Sequence, residues 1–143
     1  MTATPLPEVT SLTEPYWNGL AEGRLLYQRC SQCGHGWLPA REECPRCLAG
    51  ELSVNWVPAA GTGRVISWVI YHHAPHEFFL DRVPYTVAVI ELTEGPRLIS
   101  TLTGAHPVID APVVLRPAHV EGFAVTSFEV VYRERTSGGD HAP

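Results

Sequence analysis

The sequence predicts a mostly β protein in which an N-terminal helix and a small zinc ribbon precede a closed barrel of five strands. Three features support this fold class: four cysteines arranged as two close pairs, short stretches rich in β-branched and aromatic residues after Trp56, and no long helical pattern between those stretches. A chain of 143 residues can bury roughly 70% of its unfolded surface, so it can fold without help as one ordinary domain or two very small ones.

The first ordered element is predicted to be a helix that begins near Thr13. Residues 1–12 carry prolines and threonines without apolar periodicity and are expected to form a flexible lead-in. Thr13 or Glu14 can cap the helix, Pro15 suits its first turn and Gly23 can end it. The residues that form its apolar face at helical spacings are Tyr16, Trp17, Leu20 and Ala21.

The cysteines predict a closed metal site, reached through a strand over Arg24 to Arg29. Each pair has C-x2-C spacing with ten residues between the pairs, so four thiolates can surround one ion in the tetrahedral geometry of structural zinc. Such a site has no open position, so its expected role is to stabilise the ribbon rather than to catalyse. The expected ligands are Cys30, Cys33, Cys44 and Cys47.

The residues beside the cysteines predict two tight turns of unequal quality. Gly34 follows the first pair and permits the positive φ that lets a knuckle wrap its metal, and Pro45 stiffens the turn of the second pair. Leu48 stands in the second pair where the first has Gly34. We therefore expect a less regular second turn.

Other uses of the cysteines fit the sequence less well. Disulfides require an oxidising compartment, and nothing in the sequence indicates secretion. A thioredoxin-like redox pair needs one C-x2-C in a strand-to-helix setting, which neither pair has. A rubredoxin-like iron site stays chemically open, because four thiolates also suit iron. Zinc is the preferred ion.

The chain beyond Trp56 predicts an antiparallel sheet closed as a small barrel, which leaves no open edge. Residues 94–96 suit a hairpin link between the second and third strands. The predicted strands are Gly63 to His72, Tyr85 to Thr93, Arg97 to Thr103, Pro112 to His119 and Val125 to Tyr132. The predicted organisation is a lead-in at 1–12, the helix and ribbon at 13–53, the barrel at 54–135 and a disordered tail at 136–143.

The segment HHAPHE after the first predicted barrel strand holds titratable residues, but a solvated loop is the preferred interpretation because Pro75 breaks any helix that would align them. A ligand or catalytic role for His72 and His73 is the alternative. Phe78 and Phe79 are expected to pack at the barrel mouth or, if exposed, to anchor a partner. No nucleophile has an evident base beside it, so the sequence contains no convincing active site.

Charge and hydropathy argue against several protein classes. The net charge of -5 and pI near 5.7 disfavour a dedicated nucleic-acid binder, which needs a basic face. No apolar run approaches the ~20 residues that span a bilayer, and the N-terminus lacks the features of a secretion signal, so a cytoplasmic location is expected. Between residues 24 and 50 the cations outnumber the anions, which suits an anionic ligand or partner as well as an ordinary solvated surface. These cations are Arg24, Arg29, Arg41 and Arg46.

Several motifs, in order, resemble a known family. The stretch EPYWNGLAEGRL, then C-x2-C-G and C-P-x-C, then GTGRVISW and VPYTVAVIELTEGPRLI are similar to the zinc-ribbon plus OB-fold proteins once catalogued as a domain of unknown function and linked to acyl-CoA metabolism. The likeness covers about Thr13 to Tyr132 and implies a rubredoxin-like ribbon, a five-stranded OB barrel and zinc ligands at the four cysteines. The chain departs from the family before the fourth barrel strand, where an Ile-Gly step is replaced by Ile109 and Asp110.

The resemblance implies an accessory role. Members accompany thiolase-superfamily enzymes, including thiolases, acyltransferases and aldolases of steroid side-chain breakdown, or are joined to hotdog-fold acyl-CoA hydratases. The expected function is a non-catalytic subunit that binds a thiolase-like acyl-CoA enzyme as a hetero-oligomer and helps form or cover its acyl-CoA site. A hydratase partner is the alternative. Contacts to CoA or the partner are expected from the ribbon arginines, His72, His73, Phe78 and Phe79.

Two other function classes are weighed against this one. OB folds also bind single-stranded nucleic acid, but that mode needs aromatic side chains and a cationic groove. The second and third barrel strands are mostly aliphatic, with Arg97 as their only cation; their apolar residues include Val87, Val89, Ile90, Leu98 and Ile99. A small hydrolase or aldolase that uses the histidine loop is the third class, and it lacks a recognisable catalytic arrangement.

Overall fold

The computed structural model describes residues 8–73, 83–120 and 122–131. They form one α-helix, a three-stranded ribbon sheet, a closed five-stranded barrel and a two-stranded hairpin, which confirms the predicted fold class. No helix in these residues has the length and apolar character to cross a membrane. The elements are α1 (Glu14–Ala21), β1 (Leu26–Cys30), β2 (Gly36–Trp37), a 3-10 turn (Glu51–Ser53), β3 (Val54–Pro58), β4 (Thr62–Tyr71), β5 (Tyr85–Leu92), β6 (Arg97–Gly104), β7 (Pro112–Leu115), β8 (Ala118–Val120), β9 (Phe123–Val125) and β10 (Ser127–Val130).

Helix α1 begins and ends where the sequence predicts. Thr13 is its N-cap residue, although the Thr13 hydroxyl accepts a hydrogen bond from the Thr10 N–H (2.9 Å) instead of capping the helix. Gly23 adopts φ +80, and the N–H groups of Gly23 and Arg24 donate to the Leu20 and Gly19 carbonyls at 2.9 and 2.8 Å, as in a glycine-terminated helix end. The helix thereby buries Leu20 in the barrel core.

The ribbon is an antiparallel sheet with β1 at its centre. Strand β1 pairs with β2 at Gln28 and Trp37 and with β3 along its whole length, from Leu26 and Pro58 to Cys30 and Val54. The predicted strand before the first cysteine is therefore present, whereas β2 and β3 lie outside the five strands predicted for the chain beyond Trp56. The predicted division after residue 53 stays a prediction; β3, which follows it, hydrogen-bonds to the ribbon.

The barrel has the strand order β10-β6-β5-β4-β7, and β10 also pairs with β7, so the ring of ladders closes. All its pairings are antiparallel except the parallel pairing of β6 with β10. Alternating residues of β5 and β6 face the interior, as expected for a sheet with one buried face. The core cluster comprises Leu20, Leu25, Val65, Ala88, Ile90, Leu92, Leu102, Ala111, Val113, Ala124, Phe128 and Val130.

The last two predicted strands are each shorter than expected. The strand predicted from Pro112 to His119 is wrong in extent, because β7 ends at Leu115 and β8 begins only at Ala118. Pro117 lies between them and has no N–H for a ladder. The strand predicted from Val125 is present as β10, which begins at Ser127, after β9 has ended. Its predicted end at Tyr132, the first part of the lead-in and the tail lie outside the described residues.

Asp110, just before β7, adopts a backbone conformation that favours glycine. Its φ is +68, in the left-handed region that glycine enters most readily. The Asp110 N–H donates to the Val65 carbonyl at 2.8 Å, and the carboxylate bonds the Arg64 guanidinium. These contacts hold the approach to β7 in place without glycine.

Candidate functional site

Four cysteine thiols meet at one end of the ribbon. Their sulfur atoms all lie within 4.8 Å of one another, and they are the one group of three or more metal-ligating side chains found among the described residues. The Sγ atoms of Cys30 and Cys47 are 3.6 Å apart, as are those of Cys33 and Cys44. A disulfide requires sulfurs about 2.05 Å apart, so these are free thiols.

The two C-x2-C turns have matching backbones. The Gly34 N–H donates to the Cys30 carbonyl at 2.9 Å, and the Leu48 N–H donates to the Cys44 carbonyl at the same 2.9 Å. Backbone N–H groups also point at sulfur: that of Gln32 lies 3.4 Å from the Cys30 Sγ. On the second turn, the N–H groups of Arg46 and Cys47 each lie 3.4 Å from the Cys44 Sγ.

The expectation of a less regular second turn is wrong. Leu48 adopts φ +64, close to the +79 of Gly34, so the second turn keeps the geometry of the first. The left-handed conformation brings the Cβ of an L residue close to its carbonyl oxygen, so Leu48 carries a cost that Gly34 does not. The Leu48 side chain is 71% exposed, so little burial offsets that cost.

The proton affinities of the thiols differ strongly across the cluster. Burial raises the pKa of the Cys44 thiol, but hydrogen bonds from the N–H groups of Cys47 and Arg46 outweigh burial. The pKa of this thiol is lowered to about 6. The backbone hydrogen bond from Ala49 lowers the pKa of the Cys47 thiol, yet burial and the three neighbouring thiols together raise it to about 12. A metal ion binds thiolates rather than thiols, so its binding would release protons from this cluster.

The geometry fits a tetrahedral metal ion. Four sulfurs at the usual Zn–S distance of about 2.3 Å from a common centre are about 3.8 Å apart, close to the spacing of the thiol pairs. The donor set is all sulfur, which suits zinc or iron. All four directions around the ion would be filled by protein, so the site would hold the two turns together without binding a substrate.

The ribbon arginines are spread over four segments. Arg24 follows α1 and pairs with Glu22 at 2.6 Å, with both side chains exposed. Arg29 lies on β1, where its Nε contacts the Gly34 carbonyl at 3.4 Å, beside the first turn. Arg41 lies between the cysteine pairs and Arg46 within the second. Their predicted contacts to CoA or a partner stay predictions.

The histidine loop can be followed only in part. His72 and His73 are exposed at the end of β4. Phe78 and Phe79, with the rest of the segment from 74 to 82, lie outside the described residues. The proposed roles of all four residues stay predictions.

An apolar groove runs between the helix, the ribbon and the barrel. Its volume is about 650 Å3. One wall comes from α1, a second from the segment that follows β2, and the third from β5 and β6. The lining residues are Thr13, Tyr16, Trp17, Leu38, Pro39, Ala40, Val89, Arg97, Leu98, Ile99 and Thr126.

Buried polar contacts hold the walls of the groove. Gln28, on β1, is 1% exposed, and its Oε1 accepts hydrogen bonds from the Trp37 Nε1 at 2.7 Å and the Arg41 N–H at 2.6 Å. Trp37 and Arg41 flank the segment from Leu38 to Ala40, so these two hydrogen bonds hold both ends of the segment that lines the groove. On the helix wall, burial raises the pKa of the Tyr16 hydroxyl, against the effect of its hydrogen bond with Thr126.

The outer face of β4, β5 and β6 continues this apolar surface. Cross-strand pairing places Val89 opposite Ile99, and Val87 opposite Val69. Val69 and Ile99 are 55% and 71% exposed. At the far end, the Tyr71 and Tyr85 rings stack with centroids 5.1 Å apart. Exposed apolar residues grouped on one face are typical of a protein-binding surface.

This groove is not predicted from the sequence, in which Leu98 and Ile99 are aliphatic strand residues without a link to Tyr16 or Leu38. Those four residues come from three distant parts of the chain, and no local pattern joins them. The one usable signal was Ile99 itself, an aliphatic residue at an outward position of a strand next to Arg97.

Comparisons with known proteins agree with this architecture. Residues 17–53 match the family model "ChsH2, rubredoxin-like zinc ribbon domain", and residues 56–116 match "ChsH2, C-terminal OB-fold domain". A solved structure, the "Ltp2-ChsH2(DUF35) aldolase", is similar with a TM-score of 0.76 and 35% identity, covering 87% of this chain and 98% of that chain.

Two curated relatives extend the comparison. The "Probable enoyl-CoA hydratase alpha subunit" of Thermomonospora curvata is 40% identical over 78% of this chain and 34% of that protein. A "DUF35 domain-containing scaffold protein" of Methanocaldococcus jannaschii is 34% identical over 58% of this chain and 57% of that protein. The matches thus cover about a third of the first relative and over half of the second. With its ribbon, barrel and matching sequence, the chain belongs to the DUF35 family, with ChsH2-type zinc-ribbon and OB-fold domains.

Proposed function

We propose that this chain is a non-catalytic accessory subunit of a thiolase-superfamily acyl-CoA enzyme: a thiolase, an acyltransferase or a steroid side-chain aldolase. It forms a hetero-oligomer with that enzyme and helps to form or cover its acyl-CoA site. The similar solved structure is named as an aldolase that contains a DUF35 chain, and the archaeal relative is named a scaffold protein. A cytoplasmic location, where thiols stay reduced, is part of the proposal.

One observation supports the proposal: the metal-ligating cluster among the described residues leaves no open position on a metal ion, whereas the apolar groove is open to solvent. A catalytic metal needs a free position for water or substrate, and four thiolates leave none. An open apolar groove suits a macromolecular contact. The chemistry is therefore assigned to the partner, and the surface of this chain to binding it.

Structural zinc is the metal of this proposal, with Cys30, Cys33, Cys44 and Cys47 as its ligands. When bound, the ion supplies a tetrahedral cross-link between the two turns. The proposal retains the ribbon arginines, His72, His73, Phe78 and Phe79 as contacts to the partner or to the CoA phosphates. Elemental analysis of the purified protein distinguishes zinc from iron.

The test is co-expression with the thiolase-like enzyme encoded nearest to this chain, followed by size-exclusion chromatography with light scattering. We expect one complex that contains both chains and survives the column. The matched control is the enzyme expressed without this chain. Two separate peaks at micromolar concentration of both proteins would contradict the proposal.

A hotdog-fold acyl-CoA hydratase is the second candidate partner, because the relative from Thermomonospora curvata is named an enoyl-CoA hydratase alpha subunit. Only 34% of that relative is matched, so the rest of its length is unlike this chain. The same chromatography with a hydratase in place of the thiolase-like enzyme separates the two candidates. We expect no complex with the hydratase.

A further inference from the structure

One stretch of the barrel has an open strand edge. Strand β6 pairs with β5 from Arg97 to Leu102, but its other neighbour, β10, pairs only from Thr101 onward. Among the strands that the structure describes, none pairs with Arg97–Ser100 on that second side. An unpaired edge offers backbone donors and acceptors to another strand.

The hairpin register shows which backbone groups face the open edge. The Leu92 N–H donates to the Pro96 carbonyl at 2.8 Å, so these opposed residues form a hydrogen-bonded position. Such positions alternate along an antiparallel pair, which places Leu98 and Ser100 in hydrogen-bonded positions with β5. The N–H and C=O groups of Arg97 and Ile99 therefore point away from β5, toward the open edge.

The apolar groove passes over this edge. Leu98 and Ile99 point to opposite faces of the sheet because side chains alternate along a strand, yet both line the groove. Thr126, at the place where the chain turns into β10, lines it as well. Opposite the edge stand Tyr16, Trp17, Leu38 and Pro39. A strand laid against Arg97–Ser100 would rest between the barrel and this apolar wall.

Charge at one end of the edge favours an acidic neighbour. The Arg97 side chain is 58% exposed and contacts the Glu91 carboxylate through Nε at 3.0 Å. Glu91 also accepts two hydrogen bonds from Arg64, which bonds Asp110 as well, so Arg97 shares its carboxylate with a second arginine. The terminal nitrogens of Arg97 make no hydrogen bond to the described residues, and their fork suits a second carboxylate.

We propose that the open edge of β6 at Arg97–Ser100 binds an extended, mostly apolar segment of the partner enzyme as an added strand, with an acidic residue of that segment paired to Arg97. This inference rests on the proposed function and names the surface through which it operates. Backbone hydrogen bonds to Arg97 and Ile99 hold the segment, and its side chains enter the groove, a recurrent mode of peptide recognition. At about 3.3 Å per residue, the edge accommodates a strand of about four residues.

Residue-resolved hydrogen exchange, measured on the isolated chain and on its complex with the thiolase-like enzyme, tests the geometry. We expect the Ile99 and Arg97 amides to exchange rapidly in the isolated chain and at least about tenfold more slowly in the complex. The Leu98 and Ser100 amides bond to β5 and serve as internal controls that are protected in both states. Amides of Ile99 and Arg97 that are protected already in the isolated chain would contradict the inference, since a second copy or another part of the chain then covers the edge.

Two variants at Ile99 test the same surface by affinity. Ile99→Pro removes an N–H that faces the open edge, and Ile99→Lys adds a charge to the groove; Ile99 is exposed, so we expect both variants to fold. Each is expected to weaken the complex about tenfold or more. Ile109→Lys is the matched control, because Ile109 is 59% exposed and lies outside the groove lining.

The outcomes separate the two proposals. A complex that forms with wild-type affinity in both Ile99 variants overturns the added strand and leaves the accessory role standing. Absence of any complex with the wild-type chain overturns the proposed function, and the inference with it. Equal weakening by Ile99→Lys and Ile109→Lys shows a general charge effect and also overturns the inference.

Discussion

The ribbon and the barrel are stabilised by different interactions. The buried cluster of the ribbon contains Cys30, Trp37 and Cys44, with Ala49 and Val54 half-buried against it. The barrel cluster instead holds large side chains at near-zero exposure, including Phe128 and Ile90. Apolar burial can therefore support the barrel by itself, whereas the ribbon is too thinly packed and relies on its metal.

The groove shows why this difference matters for function. Leu98 of the barrel wall packs against the apolar core, and Leu38, which follows ribbon strand β2, packs against the same core from the other wall. Gln28 joins the second wall to β1 through Trp37. A partner that occupies the groove therefore contacts both the ribbon segment and the barrel. Unfolding of either part should weaken binding of the partner.

Loss of one metal ligand should unfold the ribbon and leave the barrel folded. Cys44→Ser removes a buried thiolate from the metal set, and we expect loss of the metal ion and about 5 kcal/mol or more of ribbon stability. The barrel amide signals in a two-dimensional NMR spectrum should persist while those of β1 to β3 collapse. Ser31→Ala, in the turn of the first cysteine pair, is the control and should keep its metal. Unchanged metal content in Cys44→Ser would refute the role of the thiols.

A smaller loss of stability is expected when the barrel core is truncated. Phe128 is 0% exposed at the barrel centre, and Phe128→Ala should reduce the free energy of unfolding by about 3–5 kcal/mol, because a cavity replaces the ring. Urea unfolding measures it, and metal content of the folded fraction should stay at the wild-type level. Phe128→Leu should cost clearly less. A loss below about 1 kcal/mol would show that the core does not depend on this ring.

A still smaller effect is expected when the two C-x2-C turns of the ribbon are compared. Leu48→Gly relieves a left-handed residue and should stabilise the metal-bound ribbon by about 0.5–1 kcal/mol, a roughly two- to fivefold gain in metal affinity. Gly34→Ala, at the matching place in the first turn, should lower affinity by a similar factor. Chelator competition measures both. Shifts of metal affinity in the same direction in both variants would contradict backbone strain at Leu48.

The smallest effect lies on the barrel surface. Hydrogen bonds from Arg64 and then Arg97 hold the pKa of Glu91 below its usual 4.5. Their stabilisation is fully present above pH 4.5 and is lost as pH falls through the lowered pKa of the folded state. Glu91→Gln should therefore be slightly less stable than wild type at pH 7, with the difference disappearing in acid. Thermal unfolding across pH measures this, with Glu43→Gln as control; an equal difference at every pH would contradict the ion-pair origin.

The metal centre and most of the barrel could be predicted from the sequence because their signals are local. C-x2-C spacing with Gly34 determines a turn directly, and Gly23 marks a helix end. Short strands were harder: β2 has two residues, and β8 and β9 have three each, too few for an alternating pattern. The regular second turn could not be predicted because a leucine does not favour the left-handed conformation that the turn imposes on Leu48.

The groove could not be predicted, for a different physical reason. Its lining depends on the relative positions of α1, the segment after β2 and strand β6. The packing of Leu20 holds α1 against the barrel, and the hydrogen bonds of Gln28 hold the segment after β2. The open edge at Arg97–Ser100 depends on where β10 begins, two residues later than the sequence indicated. The residue at which β10 begins to pair depends on the whole barrel rather than on the sequence of that strand alone.

In the proposed function, this chain supports catalysis in its partner and performs none itself. Turnover of an acyl-CoA substrate by this chain alone, by the thiolase-like enzyme alone and by their complex tests it most directly. We predict no turnover by the metal-loaded chain alone, and turnover by the complex that rises above that of the enzyme alone. Turnover by the purified chain alone, abolished by replacing His72 and His73 with Ala, would contradict the claim.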